Sequence, residues 1–152
     1  MIRKKNWLKL IVITVLTVAL VLFLIYKKYI DINNIIVMGD DYQYNAISLS
    51  SIIGGFLFTG IGILISAIDK ERIKRLWEHN YLDNLYRSSF GGILCNVFTI
   101  ILTFAYLCLT LSEKIKIIII CCQTILIVLG LVYFIWCVKQ LLFILKRMKD
   151  GK

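Results

Sequence analysis

The chain has 152 residues, 60% of them hydrophobic, with a mean hydropathy of +0.85 and a formal net charge of +9. This composition excludes an ordinary soluble domain, and the apolar residues fall in four blocks, each long enough for the roughly 20 residues a bilayer crossing needs. They read as one membrane domain without a soluble partner domain or solenoid repeat, in which the basic excess is a topology signal rather than a nucleic-acid footprint.

Residues 1–9 carry Arg3, Lys4, Lys5 and Lys9 beside Trp7, and almost pure Val, Leu and Ile follows to Tyr26. A basic start before an apolar run also describes a signal peptide. The run is long for that role and no A-x-A-like site follows, so the expectation is an uncleaved first crossing over about 8–26. Thr14 and Thr17 are its only polar residues, which places this helix against lipid. Residues 27–45 form a polar connection of no clear pattern, with Asp31, Asp40 and Asp41, and with Tyr29, Tyr42 and Tyr44 at the interface.

The second crossing spans about 47–68, ISLSSIIGGFLFTGIGILISAI. Ser48, Ser51, Gly55, Thr59, Gly62 and Ser66 follow at steps of three or four and fall within an arc of roughly 80° on one helix face. Such a seam lets a second helix approach closely, so it is assigned to helix packing. Residues 69–87, DKERIKRLWEHNYLDNLYR, place Ile73, Leu76, Trp77, Tyr81 and Leu85 at helical spacing among charges. The expected structure is a cytoplasmic helical stem that turns near 79–84, where Asn and Asp favour a turn.

The third crossing covers about 88–111 and carries its own stripe: Ser89, Gly92, Asn96, Thr99, Thr103, Tyr106 and Thr110. This face is the more hydrophilic, and Asn96, Thr99, Thr103, Tyr106 and Thr110 are the pore-lining candidates. The short LSEKIK connection makes the fourth crossing, about 117–138, an antiparallel neighbour of the third. Gln123, Thr124 and Gly130 are its few polar or small positions, and a basic tail, 139–152, extends it along the inner surface.

The expected fold is thus all-α: an integral membrane four-helix bundle with both termini cytoplasmic and a cytoplasmic helical hairpin between helices 2 and 3. In that orientation the cytoplasmic segments hold fourteen Lys/Arg and five Asp/Glu, and the outer segments hold four of each. The whole net charge then lies inside, as the positive-inside rule requires.

Little in the chain carries bond-making chemistry. There is a single histidine, and no G-x-S-x-G, H-E-x-x-H, phosphate loop or intramembrane carboxylate. The reading is therefore not an enzyme, with no cofactor and no metal. Cys95, Cys108, Cys121, Cys122 and Cys137 all lie in apolar blocks without a C-x-x-C pair and read as small buried hydrophobes. Coupled transport is disfavoured by the lack of an ionisable residue within any crossing. Lys70, Arg72, Lys74, Arg75 and Arg87, with the basic tail, are candidates for an anionic ligand such as a nucleotide, oligonucleotide or lipid headgroup, on which Trp77, Tyr81 and Tyr86 could stack a base. The competing reading of these charges is topology alone.

The run GGFLFTGIGILISAI, followed by a charged stretch with LWEHNYLDNLYRS, resembles small four-helix membrane effectors of bacterial anti-phage immune operons, including Hailong-type systems. The resemblance covers about the second and third crossings. It implies an oligomeric channel in the inner membrane, controlled at its cytoplasmic face by the nucleotide signal of a partner enzyme encoded nearby. The leading expectation is a non-enzymatic, homo-oligomeric pore or ion-channel-like effector. The alternatives are a non-conducting accessory or immunity-type membrane subunit and a holin-like lysis protein.

Overall fold

The computed structural model describes residues 2–66 and 81–149. Among them the chain forms five helices and no strand: α1 (Ile2–Tyr26), α2 (Ile32–Met38), α3 (Asp40–Ser66), α4 (Tyr81–Cys108) and α5 (Glu113–Lys149). Four stretches of these helices are long and apolar enough to cross a membrane: Leu8–Tyr26, Asp40–Ile63, Leu85–Cys108 and Glu113–Phe143.

Local chemistry sets the helix ends. Lys28 adopts a left-handed conformation, φ 59°. Its N–H donates to the Ile25 carbonyl at 3.0 Å, and the Tyr29 N–H donates to Leu24 at 3.0 Å. Together these close α1 with a Schellman motif, which satisfies carbonyls that the helix would otherwise leave open. Asp31 caps α2, its carboxylate accepting from the Asn33 N–H at 2.9 Å. Gly39, at φ 52° and ψ −121°, then reverses the chain, a conformation that L side chains rarely adopt. Asp40 and Asp41 follow in the first turn of α3, where negative charge complements the exposed amide dipoles. Between α4 and α5 the Ser112 carbonyl accepts from the Ile115 and Lys116 N–H groups and starts α5.

The expected crossings are shifted accordingly. The connection expected at 27–45 contains α2 and the first turns of α3, so the helix that carries the second apolar stretch begins at Asp40, before the expected 47. The third belongs to a helix running from Tyr81 to Cys108 rather than from 88 to 111, and the fourth to one that continues unbroken through the tail to Lys149. Residues 81–84, expected at a turn, are helical; the rest of the expected turn and most of the stem, 67–80, lie outside the described residues.

Packing divides the helices unequally. The most extensive contacts join α4 to α5 and α3 to α4, with α3 also meeting α5, whereas α1 lies mainly along α5. The bundle is therefore a three-helix core with α1 at its side. Ile53, Leu57, Leu85, Ile120 and Leu129 are buried in it, and Val21 seals α1 against it. Most of residues 8–26 of α1 are exposed, including Val15, Leu16 and Leu20, so this apolar surface suits lipid. A hydrogen bond between Thr14 and Tyr133, 2.8 Å, ties α1 to α5.

Candidate functional site

The inner face of α3 is a line of residues at three- and four-residue steps: Gln43, Ala46, Ser50, Ile53 and Leu57, all buried. Facing it from α4 are Ser88, Ser89, Asn96, Thr99 and Thr103, and from α5 Gln123, again all buried. Polar side chains held this deep require partners, and most are present. The Gln43 and Gln123 amides bond each other reciprocally: Gln123 Nε2 donates to Gln43 Oε1 at 2.8 Å, and Gln43 Nε2 to Gln123 Oε1 at 3.3 Å. Gln123 Nε2 also donates to Thr103 Oγ1 at 2.9 Å, linking all three core helices.

The threonines have a consistent proton assignment. Thr103 commits its hydroxyl proton to the Thr99 carbonyl, leaving a lone pair for Gln123. Thr124 likewise donates to Ile120, so in its 3.1 Å contact with Tyr42 the phenol is the donor. Thr14 donates to Leu10, which makes Tyr133 the donor to it. Toward the other end, Ser89 and Cys137 meet at 3.0 Å.

Glycines let the helices close on this polar line. A Cβ at Gly54 would stand 3.5 Å from Asn96 Cβ, and one at Gly130 would stand 3.0 Å from Asn96 Nδ2. Asn96 thus sits between glycines of α3 and α5. At Gly92 a Cβ would come to 2.6 Å from Leu57 Cδ1 and 3.1 Å from Tyr133 Cβ. The chemistry of the arrangement is neutral hydrogen bonding, which fastens helices and can host a small neutral polar molecule.

The two polar stripes stand on opposite sides of the core boundary. Asn96, Thr99 and Thr103, candidates for a pore wall, are buried within the single chain between α3 and α5. Of the same stripe, Tyr106 is half-buried and Thr110 exposed; both line an open cleft of about 690 Å³ with Gly39, Asp40 and Lys116. The seam Ser48, Ser51, Gly55, Thr59, Gly62 and Ser66 is exposed throughout. It lies roughly 160° around α3 from the packed line. A Cβ on Gly55 or Gly62 would meet nothing within 4 Å, and the Thr59 and Ser66 hydroxyls donate to carbonyls of their own helix. The seam therefore takes no part in packing among the described residues.

Among the basic candidates, Arg87 is exposed on α4, while Lys70, Arg72, Lys74 and Arg75 lie outside the described residues. The cysteines are free, but only Cys137 is buried; Cys95 and Cys121 are half-buried, and Cys108 and Cys122 are exposed on the apolar surface. The expectation of five buried cysteines is corrected to that extent, since a sulfur hydrophobic enough for a core is equally suited to lipid. Gln43 and Ser50 escaped the sequence reading. The signal was available, because the three- and four-residue line they begin becomes visible once the helix is started before residue 47. No protein-family model, curated protein or solved structure matches the chain.

Proposed function

We propose that the protein is a non-enzymatic, homo-oligomeric pore or ion-channel-like effector that permeabilises or depolarises a bacterial inner membrane, with both termini cytoplasmic. The observation that carries this reading is the exposed seam on the back of α3. Glycines and hydroxyls on a membrane helix face gain little from lipid. They gain close packing, interhelical hydrogen bonding or water when a second copy covers them. The path in this reading runs between copies beside α3, because the Asn96–Thr99–Thr103 face is consumed inside each chain. Control at the cytoplasmic face by an anionic nucleotide or oligonucleotide, from a partner enzyme of the kind immune operons encode, belongs to the same proposal. Arg87 and the neighbouring basic residues are its binding candidates.

A second reading, a non-conducting accessory or immunity-type subunit, is favoured by one feature: the core polar groups largely satisfy one another. Purified protein separates the two by its mass in mild detergent and by ion flux from liposomes. The pore reading expects an oligomer that conducts, and a Ser51→Leu/Gly55→Leu variant that is monomeric, helical and silent. A monomeric or non-conducting wild type would overturn it, and release of large dyes without size limit would favour a holin-like lesion.

A further inference from the structure

Independently of that reading, three enclosed side-chain oxygens lack a partner among the described residues; one is Gln140 Oε1 on half-buried Gln140, and the other two lie in the core. Ser50 Oγ and Asn96 Oδ1 are fully enclosed and make no hydrogen bond among the described residues. The residues carrying them are only 1% exposed. Their depth makes this unusual. Asn96 stands at the middle of the Leu85–Cys108 stretch and Ser50 within two residues of the middle of Asp40–Ile63. At that level the nearest water lies about half a hydrocarbon thickness away, roughly 15 Å, and an unsatisfied polar group costs about 1–3 kcal/mol.

The orientation of Asn96 is fixed by its other end. Nδ2 donates to the Gly92 carbonyl at 2.7 Å, so rotating the amide to satisfy Oδ1 would only exchange one orphan for another. Ser50 has the usual helical alternative of bonding back to a carbonyl four residues earlier, and does not take it. Thr99, fully buried one turn from Asn96, donates its proton to the Cys95 carbonyl and keeps an acceptor lone pair. Ser50 and Gly54, one turn apart on α3, and Gly130 on α5 keep side-chain bulk at this level small.

We propose that this midplane layer is a binding site for an internal water molecule held by Ser50 and Asn96. Water matches the set: it donates to Asn96 Oδ1 and to the Thr99 lone pair and accepts the Ser50 hydroxyl proton. These three bonds are the usual complement of a buried water. A metal ion does not match, since the three side chains are neutral and Asn96 offers one amide oxygen.

Water-edited solid-state NMR of the full chain in lipid bilayers tests this, reading magnetisation transfer from water to the Asn96 side-chain nitrogen, assigned by its loss in Asn96→Leu. The expected transfer is at least about twofold faster than to the buried Leu57 methyls at similar depth. Ser50→Val, which fills the site with methyl groups, is expected to abolish the difference while leaving the helical circular dichroism unchanged. Wild-type transfer to Asn96 no faster than to Leu57 would overturn the site, whether or not the valine variant folds. Fast transfer that persists in folded Ser50→Val would overturn the role of Ser50 in holding the water.

Discussion

Gln123 is the residue on which the core polar contacts converge. Its one amide serves Gln43 on α3 and Thr103 on α4, with a hydrogen bond in each direction to Gln43. Interhelical hydrogen bonds within membranes are individually weak, about 0.6 kcal/mol on average. Removing one partner of a buried set costs more, because the groups left behind stay desolvated. Gln123→Leu is therefore expected to destabilise the fold by about 1–3 kcal/mol. Adding Gln43→Leu should cost less than a second full penalty, since the orphaned amide disappears; equilibrium unfolding in mixed detergent measures both. Lys28 offers the opposite case. A side chain in the left-handed region carries a steric cost of about 1–2 kcal/mol that glycine avoids. Lys28→Gly should therefore raise the unfolding midpoint in detergent, and an unchanged or lower midpoint would overturn this account of the turn.

At the scale of the element, α2 and the start of α3 depend on a reversal at one residue. Gly39 joins them with φ 52°, and its N–H bonds the Ile35 and Ile36 carbonyls. Gly39→Ala would force a side chain into this geometry at a cost of about 1–3 kcal/mol. The expected outcome is loss of order in α2, seen as faster amide exchange over 32–38 while α4 remains protected. Equal protection of α2 in both proteins would show that the turn tolerates a Cβ. This junction also marks where sequence reasoning stopped short. The four apolar stretches were legible because length and hydropathy suffice to find them. A seven-residue helix has too few turns to display a period, and its cap at Asp31 and glycine at 39 read equally well as a loop. Starting the second crossing at 47 then hid Gln43 and Ala46, the first two residues of the packed line.

The stripes show a different limit, which belongs to the molecule as a whole. Both repeat every three or four residues, and both span an arc of roughly 80–100°. Periodicity establishes that a face is special without naming what covers it. Small residues permit close approach by a helix of the same chain or of another, so the glycine-rich seam was legible as a distinct face, and what covers it was not. The Asn96–Thr103 face was legible as polar, yet whether it met water or other amides depended on Gln43 and Gln123, 80 residues apart in sequence and paired only by the fold. The resulting molecule is asymmetric in its anchoring. α5 has 37 residues and so reaches about 55 Å, against a hydrocarbon core of about 30 Å. Its apolar stretch, Glu113–Phe143, already exceeds that thickness, and the helix continues unbroken past it to Lys149.

The placement of α1 beside a core that it does not complete has a consequence for biosynthesis. Its apolar stretch has a hydropathy of 2.9, and both its threonines bond carbonyls of their own helix, so it can enter lipid alone as soon as it is made. The stretches of α3 and α4, at 1.8 and 1.9, bring in Gln43, Asn96 and Thr103 before Gln123 has been synthesised. Asn96 and Thr103 bond carbonyls of their own helix meanwhile, whereas the Gln43 amide waits for its partner on α5. In order of synthesis, the link between α3 and α4 through Gln43 and Thr103 is therefore the last part of the core polar line to be completed, and Gln123 is the residue that completes it.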